Sequence, residues 1–362
     1  MHIYLFVENL PPASEMDEIT HPITGRPMPE FLTGVITPML TAFNEDGSLD
    51  EDGIRAMVRW LKSTGAVTTI FARSGVGQMF TFSFDEVKTM IDVSISEAKD
   101  EIYVMPGTSG VLPDGRIGPG HDEQLYVSQT VELSKYAERQ GATGVVVLPL
   151  GLVPSENFAD KVFDFYKKVN DSVTIPIVIY QPPGVRPPHA MTPSLLHRLA
   201  GLERVVGMKY STSDMQSFGL LCDATKDQEF TMISGHEGAF LPSLVLGAGA
   251  VIGGGCNTHP ELIRAIFDAF MKLDLETARR RQFEVSRLLG VRFQAPDPYS
   301  GRAVNSQKLY LARKGVKIKP YQRPVTPQAS KMDLEALDRA VEEMERAIDE
   351  AVSPYRKLRP VQ

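Results

Sequence analysis

Residues 177–209 read IVIYQPPGVRPPHAMTPSLLHRLAGLERVVGMK, a short apolar run, an amphipathic segment and a second apolar run. Short β-branched apolar runs indicate buried strands, and the segment between them has the apolar period of a helix. The pattern recurs along the chain, with strand-like runs at 34–36, 67–71, 102–105, 145–148, 177–180, 205–208, 230–233 and 250–252. Strand–helix units repeated in this way predict a (β/α)8 TIM barrel rather than an open sheet.

The two ends of the chain lack this alternation. Residues 1–30 are rich in Pro, Glu and Thr without periodicity, which predicts an irregular N-terminal arm ahead of a barrel over 31–272. Residues 273–362 are predicted to form a C-terminal helical region, because helical patterns occur at 273–289, 303–314 and 332–352. The Gly- and Pro-rich stretch 111–120 follows the third strand, so we expect an irregular loop on the active-site face.

The composition excludes several classes of protein. The chain has 362 residues, 43% of them apolar, and a formal net charge of −7, which is ordinary for a soluble globular protein. The basic residues are scattered, so neither nucleic acid nor a membrane is an expected partner. Cys222 and Cys256 are too few for a disulfide framework and are not spaced as zinc ligands, so we expect no metal or other cofactor. We find no bilayer-spanning apolar stretch and no signal sequence, which predicts a cytoplasmic protein.

Lys209 ends one of the apolar runs and is the most informative candidate residue. The carboxyl ends of barrel strands form the active-site face, and burial there favours the free amine, which can form an imine with a ketone. The alternative is a lysine whose ammonium simply reaches solvent. Tyr180 ends the preceding strand on the same face, where its hydroxyl could shuttle protons. The alternative is a tyrosine bonded to the backbone.

Three glycine-containing loops complete the candidate site. The turn after the second strand can hold a carboxylate with its N–H groups, although a plain tight turn is the alternative; its residues are Ser74, Gly75, Val76, Gly77 and Gln78. His236 and Glu237 follow the seventh strand and could bind substrate hydroxyls, or Glu237 could cap a helix with Ser234. Gly253 follows the eighth strand and leaves room above the barrel, unless it belongs to a flexible connection.

Several of these motifs occur together in one known family. The chain has, in order, GVITP at 34–38, NEDGSLD at 44–50, YQPPG at 180–184 and GMK at 207–209, followed by Asp214. Over residues 32–289 it resembles the class I, Schiff-base-forming pyruvate aldolase superfamily that includes dihydrodipicolinate synthase and N-acetylneuraminate lyase. The resemblance implies that Lys209 is the imine lysine and Tyr180 the proton-shuttling tyrosine. It also implies a small 2-keto acid as substrate and a homo-oligomer, either a dimer or a tetramer.

The chain departs from the family's synthases at several positions. Those synthases carry GTTGE after the second strand, whereas residues 74–78 read SGVGQ and lack both threonine hydroxyls. The family's tyrosine pair after the fourth strand is replaced by Leu150 and Gly151, and its arginine is displaced by one position to Arg186. The pattern FARSGVGQMF at 71–80 is more similar to the branch of 2-keto-3-deoxy sugar acid dehydratases.

The resemblance therefore implies a lyase, an aldolase or a dehydratase, acting on a hydroxylated 2-keto-3-deoxy sugar acid or on pyruvate plus an aldehyde. Two alternatives stay open: dihydrodipicolinate synthase (4-hydroxy-tetrahydrodipicolinate synthase) activity, and a non-catalytic barrel that binds a keto acid. A metal-dependent aldolase is disfavoured because no set of His and carboxylate ligands follows the strands. The side chains expected to bind substrate are those of Gln78, Arg186, Ser211, His236 and Glu237.

Overall fold

The computed structural model describes residues 18–294 and 304–323, together with 342–343, 345–351 and 353. The described chain begins with a two-stranded antiparallel hairpin, β1 (Glu18–Thr20) and β2 (Pro27–Pro29). The prediction of an irregular arm is therefore wrong for this stretch, while residues 1–17 lie outside the described residues. The hairpin is anchored to the barrel by His21, whose Nε2 lies 3.0 Å from the Leu244 carbonyl oxygen. Phe31 and Leu32 follow it and close the N-terminal end of the barrel with buried apolar surface.

Eight parallel strands form the barrel, which confirms the predicted fold. They are β3 (Gly34–Pro38), β4 (Thr69–Phe71), β5 (Tyr103–Val104), β6 (Val145–Val147), β7 (Ile177–Gln181), β8 (Val205–Tyr210), β9 (Thr231–Ser234) and β10 (Ala248–Val251). The strand order is β5-β4-β3-β10-β9-β8-β7-β6. The remaining seam between β5 and β6 is closed by backbone hydrogen bonds, from Val146 N to Pro106 O at 2.9 Å and from Thr108 N to Val146 O at 3.1 Å.

Helices surround the barrel between successive strands. They are α1 (Glu51–Thr64), α2 (Phe84–Ala98), α3 (Glu123–Arg139), α4 (Phe158–Asn170), α5 (Pro193–Ala200), α6 (Met215–Ala224), α7 (Phe240–Val245) and α8 (Pro260–Met271). One apolar cluster fills the space between helices and sheet, and a second fills the interior of the barrel. Because every barrel strand is covered on both faces, its sequence reads as a continuous apolar run instead of an alternating one.

Local signals in the sequence explain where these helices begin and end. Asp50 precedes α1 and accepts a hydrogen bond from Gly53 N, and Gly65 ends the helix with φ of 58°, a left-handed conformation that glycine adopts readily. Ser83 and Glu86 form a capping box at the start of α2. Asp214 accepts hydrogen bonds from Gln216 N and Ser217 N at the start of α6, so its role in the lysine motif is that of a helix cap.

Beyond the barrel the chain continues with α9 (Leu275–Gln294) and α10 (Val304–Arg313), and residues 342–343, 345–351 and 353 are also helical. The predicted helical appendage is thus present, although residues 332–341 of its last helix fall outside the described residues. Residues 314–323, which we call the C-terminal strap, return to the active-site face. There Lys319 Nζ lies 3.1 Å from an Asp50 carboxylate oxygen. Within the described chain, no helix is long and apolar enough to cross a membrane.

The loop predicted at 111–120 also lies on the active-site face. It contains one short 3-10 turn, Pro113–Gly115, so its backbone is not wholly irregular. Gly115 packs against the Phe80 ring beside the second barrel strand, and His121 Nε2 lies 2.7 Å from the Gly151 carbonyl oxygen. The loop therefore bridges the connections that follow the second and fourth strands.

Candidate active site

Lys209 and Tyr180 meet inside the barrel at the carboxyl ends of adjacent strands. β7 and β8 are parallel, and their register pairs Tyr180 directly with Lys209. Both side chains are buried, each with 3% of its surface exposed. The Lys209 Nζ atom lies over the face of the Tyr180 ring, 4.0 Å from the ring centroid. An amine and a phenol hydroxyl held together in a water-poor interior are suited to addition and proton transfer at a carbonyl carbon.

Phe71, which ends the second barrel strand, packs against both members of this pair. Its ring meets the Tyr180 ring edge to face at a centroid distance of 5.9 Å, and its centroid lies 5.4 Å from Lys209 Nζ. Phe71 carries no functional signal in the sequence, because a phenylalanine in an apolar run has the signature of an ordinary core residue. Its packing restricts the movement of the tyrosine ring, which keeps the hydroxyl close to the amine.

The turn at 74–78 faces the Tyr180 hydroxyl. Within it, Gly77 N donates to Ser74 Oγ at 3.0 Å and Gln78 N donates to the Gly75 carbonyl at 3.2 Å. The N–H groups of Gly75 and Val76 have no hydrogen-bond partner within the described part of the chain. A Cβ atom on Gly75 would lie 2.9 Å from Tyr180 Oη, so the close approach requires glycine. Adjacent N–H donors beside an amine and a phenol form a cradle suited to a carboxylate.

The carboxamide of Gln78 points away from this cradle. It is held by the C-terminal strap, donating to the Arg323 carbonyl oxygen and accepting from Arg323 N at 3.2 Å. The backbone of Gln78 is left-handed, with φ of 61°. The structure therefore places this residue where it holds the turn in shape, and its amide group is engaged over a sequence separation of 245 residues.

Arg73 lies immediately before the turn and is 1% exposed. Its guanidinium donates to three backbone carbonyls: Nε to Met79 O at 3.3 Å, and Nη1 to Gly107 O at 3.1 Å and to Ser109 O. Burial lowers the pKa of Arg73 to about 10, so the group stays cationic at neutral pH. No local signal in the sequence marks an arginine for burial, since arginines are usually exposed.

Polar groups lie on the side of the mouth formed by the sixth to eighth barrel strands. Ser211 follows Lys209 and packs against Gly235, with Oγ 2.3 Å from the position that a Cβ on Gly235 would take. His236 is half-buried, and among the described residues its Nδ1 has no hydrogen-bond partner. Glu237 is buried and its Oε1 accepts a hydrogen bond from Gly255 N at 2.8 Å.

Gly253 acts through Glu237 in this arrangement. A Cβ on Gly253 would lie 2.1 Å from Glu237 Oε2, so the absence of a side chain makes room for the carboxylate. The helix cap considered as an alternative for Ser234 and Glu237 is not formed, because Ser234 Oγ donates instead to the His236 carbonyl at 3.2 Å. Glu237 is thus placed as a fixed carboxylate at the rim, beside the glycines that follow the eighth strand.

The opposite side of the mouth is mostly apolar. A small pocket beside Tyr180 is lined by Pro149, Leu150, Ile179, Tyr180, Gln181, Pro182, Val185, His189 and Met191. Gln181 is turned inward, where its Oε1 accepts a hydrogen bond from Met191 N at 2.6 Å. Arg186 is exposed on the neighbouring loop. Across the described residues, no group of three or more His, Cys, Asp or Glu side chains is arranged to hold a metal ion.

Comparison with protein families decides what kind of protein carries this site. The model of the dihydrodipicolinate synthetase family matches residues 31–344. The chain belongs to this family. Membership confirms the resemblance drawn from the sequence and makes the protein a Schiff-base-forming lyase of class I.

Relatives and solved structures agree with this family. The chain is 30% identical over 268 residues to a 4-hydroxy-tetrahydrodipicolinate synthase of Methanospirillum hungatei, covering 73% of this chain and 85% of the relative. The structure of an N-acetylneuraminate lyase from Fusobacterium nucleatum has a TM-score of 0.74 and 19% identity, covering 88% of this chain and 99% of that chain. A dihydrodipicolinate synthase from Aquifex aeolicus gives 0.70 and 24%, with 87% and 97% covered. These two likenesses establish the shared barrel fold.

The departures of this family member cluster beside Tyr180. Val76 supplies no hydroxyl, and the hydroxyl of Ser74 is directed to the Met39 carbonyl at 3.1 Å. The missing side chain of Gly151 leaves space that the Tyr126 ring occupies, since a Cβ there would lie 2.4 Å from that ring. Burial raises the pKa of Tyr126 to about 12, and its hydroxyl donates to the Leu148 carbonyl at 2.6 Å. Tyr126 is therefore a packing residue in this structure.

Proposed function

We propose that the protein cleaves or dehydrates a hydroxylated 2-keto acid through an imine on Lys209. The observation that carries this proposal is the pairing of Lys209 and Tyr180, with Nζ 4.0 Å from the tyrosine ring centroid in a buried site. Beside them lie the two N–H groups of the 74–78 turn. Amine, phenol and carboxylate cradle are the groups that a 2-keto acid needs at its carbonyl and carboxyl ends.

The reaction starts with attack of the neutral Lys209 amine on C2 of the keto acid, which forms a carbinolamine. Tyr180 moves the protons, and loss of water leaves a protonated imine. The imine then accepts the electron pair released when the C3–C4 bond breaks, or when a proton leaves C3, and becomes an enamine. In cleavage, the C4 hydroxyl loses its proton as the aldehyde departs, and C3 is protonated before water frees pyruvate. In dehydration, the C4 hydroxyl takes up a proton and leaves as water.

The polar half of the mouth supports a hydroxylated substrate. With the keto acid carboxylate on Gly75 and Val76, the rest of the molecule reaches towards Ser211, His236 and Glu237. A site that hydrogen-bonds substrate hydroxyls discriminates strongly against compounds without them, because its buried polar groups would be left unpaired. Glu237, with one oxygen fixed by Gly255 N, is suited to accept such a hydrogen bond.

Synthase activity is the second candidate, and the names of the relatives favour it. Condensation of pyruvate with an aldehyde requires a proton to be removed from C3, next to the imine carbon, and the later cyclisation requires further proton transfers. In this chain Val76 and Leu150 stand where the family's synthases have hydroxyl-bearing residues, which is why we place this activity second.

The test is borohydride reduction in the presence of pyruvate and a panel of 2-keto-3-deoxy sugar acids, followed by peptide mass spectrometry. The expected adduct is on Lys209, and Lys209→Ala should abolish both adduct and turnover. Lys226→Ala removes an exposed lysine of a surface ion pair and serves as the matched control. An adduct confined to another lysine contradicts the proposal. Efficient synthase turnover with none on any hydroxylated keto acid would favour the second candidate.

We further propose a cytoplasmic homo-oligomer of closed symmetry, the commonest arrangement for homo-oligomers. The family resemblance and the helices beyond the barrel support it. Light scattering at micromolar concentration is the measurement, and a monomeric mass would contradict it.

A further inference from the structure

We propose that Arg73 selects carboxylate-bearing substrates over neutral ketones, by placing an unneutralised cation beneath the N–H groups of Gly75 and Val76. The inference deepens the proposed function, because it gives the 74–78 turn a charge preference. It rests on the geometry around Arg73, to which none of the family motifs described above assigns a role.

The first observation is that Arg73 is buried without an acidic partner. Its three hydrogen bonds all go to backbone carbonyls, and throughout residues 18–294 and 304–323 no Asp or Glu forms an ion pair with it. By contrast, Arg59 and Arg323 each form an ion pair with a glutamate. An isolated buried charge is costly, and carbonyl dipoles offset only part of that cost. A bound anion near the guanidinium would offset more of it.

The second observation is where the guanidinium lies. Arg73 Nε donates to Met79 O, while Met79 N donates to Ser74 O at 3.0 Å. The side chain thus crosses the base of the turn whose tip holds the unpaired N–H groups. An anion bound at that tip would have the guanidinium of Arg73 on the far side of the turn. Arg73 directly precedes the turn, so only a few residues of chain separate the charge from the anion.

The third observation is the backbone of Arg73, which has φ of 49°. Residues other than glycine, asparagine and aspartate rarely adopt this left-handed backbone conformation, and strain of this kind concentrates at functional sites. Glycine would fit the turn without strain. An arginine at this position is explained if its positive charge contributes to binding of a carboxylate.

The charge predicts a measurable preference. In a medium of effective dielectric constant near 20, a cation within the length of one short turn strengthens binding of a carboxylate by roughly tenfold relative to an isosteric neutral group. A purely structural Arg73, which only ties the 74–78 turn to Gly107 and Ser109, would affect charged and neutral ligands equally. The two roles therefore differ in charge selectivity, not in overall stability.

The test uses propionate and propionamide, which have the same shape near the carboxyl carbon and no ketone, so Lys209 chemistry does not enter. In the wild-type protein at matched ionic strength, propionate should raise Tm more than propionamide does. Arg73→Gln should remove the difference, and Arg73→Lys, which keeps the charge, should keep most of it. If Arg73→Gln does not fold, Arg73→Met takes its place. Equal responses in wild type, or an undiminished propionate preference in the neutral variant, would overturn the inference.

A second arm links the preference to imine formation. Borohydride trapping is titrated with pyruvate and with hydroxyacetone, a neutral ketone of the same carbon number. In Arg73→Gln the half-maximal concentration of pyruvate should rise about tenfold relative to that of hydroxyacetone. Equal rises for both ketones show a structural role and overturn the inference. Absence of any Lys209 adduct in wild type refutes the proposed function instead, and the propionate comparison then still decides on Arg73.

Discussion

Replacing Gly75 by alanine should slow the reaction about tenfold while leaving the protein folded. A Cβ on Gly75 would lie 2.9 Å from Tyr180 Oη, whereas ordinary contact begins at 3.4 Å, so the hydroxyl must retreat by the difference of 0.5 Å. The ring has little room to do so, because Phe71 and Lys209 pack against it. A misplacement of about 1 Å at a reacting group can cost about 100-fold in rate, so half that distance corresponds to about tenfold. The barrier rises by about 1.4 kcal/mol.

The effect on stability should be smaller than the effect on rate. Alanine reduces the freedom of the unfolded chain, which stabilises by about 0.5 kcal/mol, while overpacking costs about 1–3 kcal/mol. The expected net loss of about 1 kcal/mol lowers Tm by about 1–2 °C in a chain of this size. Calorimetry and kcat measured on the same preparation separate the two effects.

Gly118→Ala is the matched control for this prediction, because nothing lies within 4 Å of a Cβ at that loop position. Its kcat should equal that of the wild type. Tyr180→Phe removes the atom with which the new methyl group collides, so Gly75→Ala should cost little more in that background. Wild-type kcat in Gly75→Ala, or fully additive losses in the double variant, would refute the placement of the hydroxyl at the turn.

Three further predictions concern the rest of the molecule. Arg323→Ala removes the largely buried ion pair with Glu86 and should lower the free energy of unfolding by about 2 kcal/mol in urea titrations, against less than about 1 kcal/mol for the exposed Lys226→Ala; equal losses would contradict the role of the strap. Burial lowers the pKa of His21 below 6.5, so the unfolded state protonates first and stability should fall as pH drops below about 6.5. His21→Gln should flatten that slope, which a pH series of melting curves measures. Turnover should survive prolonged chelation, since the imine supplies the electrophile; loss restored by a divalent metal would count against the mechanism.

The barrel was predictable because its signal is repeated and local. Each strand is short, apolar and covered on both faces, and each is followed by a segment of helical period. The meeting of Tyr180 and Lys209 follows from the same pattern, since consecutive strands of a barrel are neighbours and their carboxyl ends lie on one face. Chain order therefore sufficed to bring the two residues together.

Other parts of the site depend on long-range contacts that local sequence patterns do not predict. The Gln78 amide is engaged by Arg323, 245 residues away, so a side chain predicted to bind substrate holds a turn instead. The burial of Arg73 depends on carbonyl groups supplied by the next strand's loop. The hairpin at 18–29 was missed because its strands are three residues each and contain prolines, which weakens any period-2 signal.

The contacts of Arg323 with the first two loops of the mouth can form only late in the synthesis of the chain. Its partners Gly47, Gln78 and Glu86 precede it by 276, 245 and 237 residues. At 5–20 residues per second, a ribosome needs on the order of ten to fifty seconds to bridge that gap. During this interval the first two loops of the mouth have no strap, and the Phe43 ring lacks the Arg323 guanidinium that later lies 4.7 Å above it. Between the end of β10 at Val251 and the addition of Arg323, a growing chain therefore contains all eight barrel strands but lacks the contacts that complete the mouth.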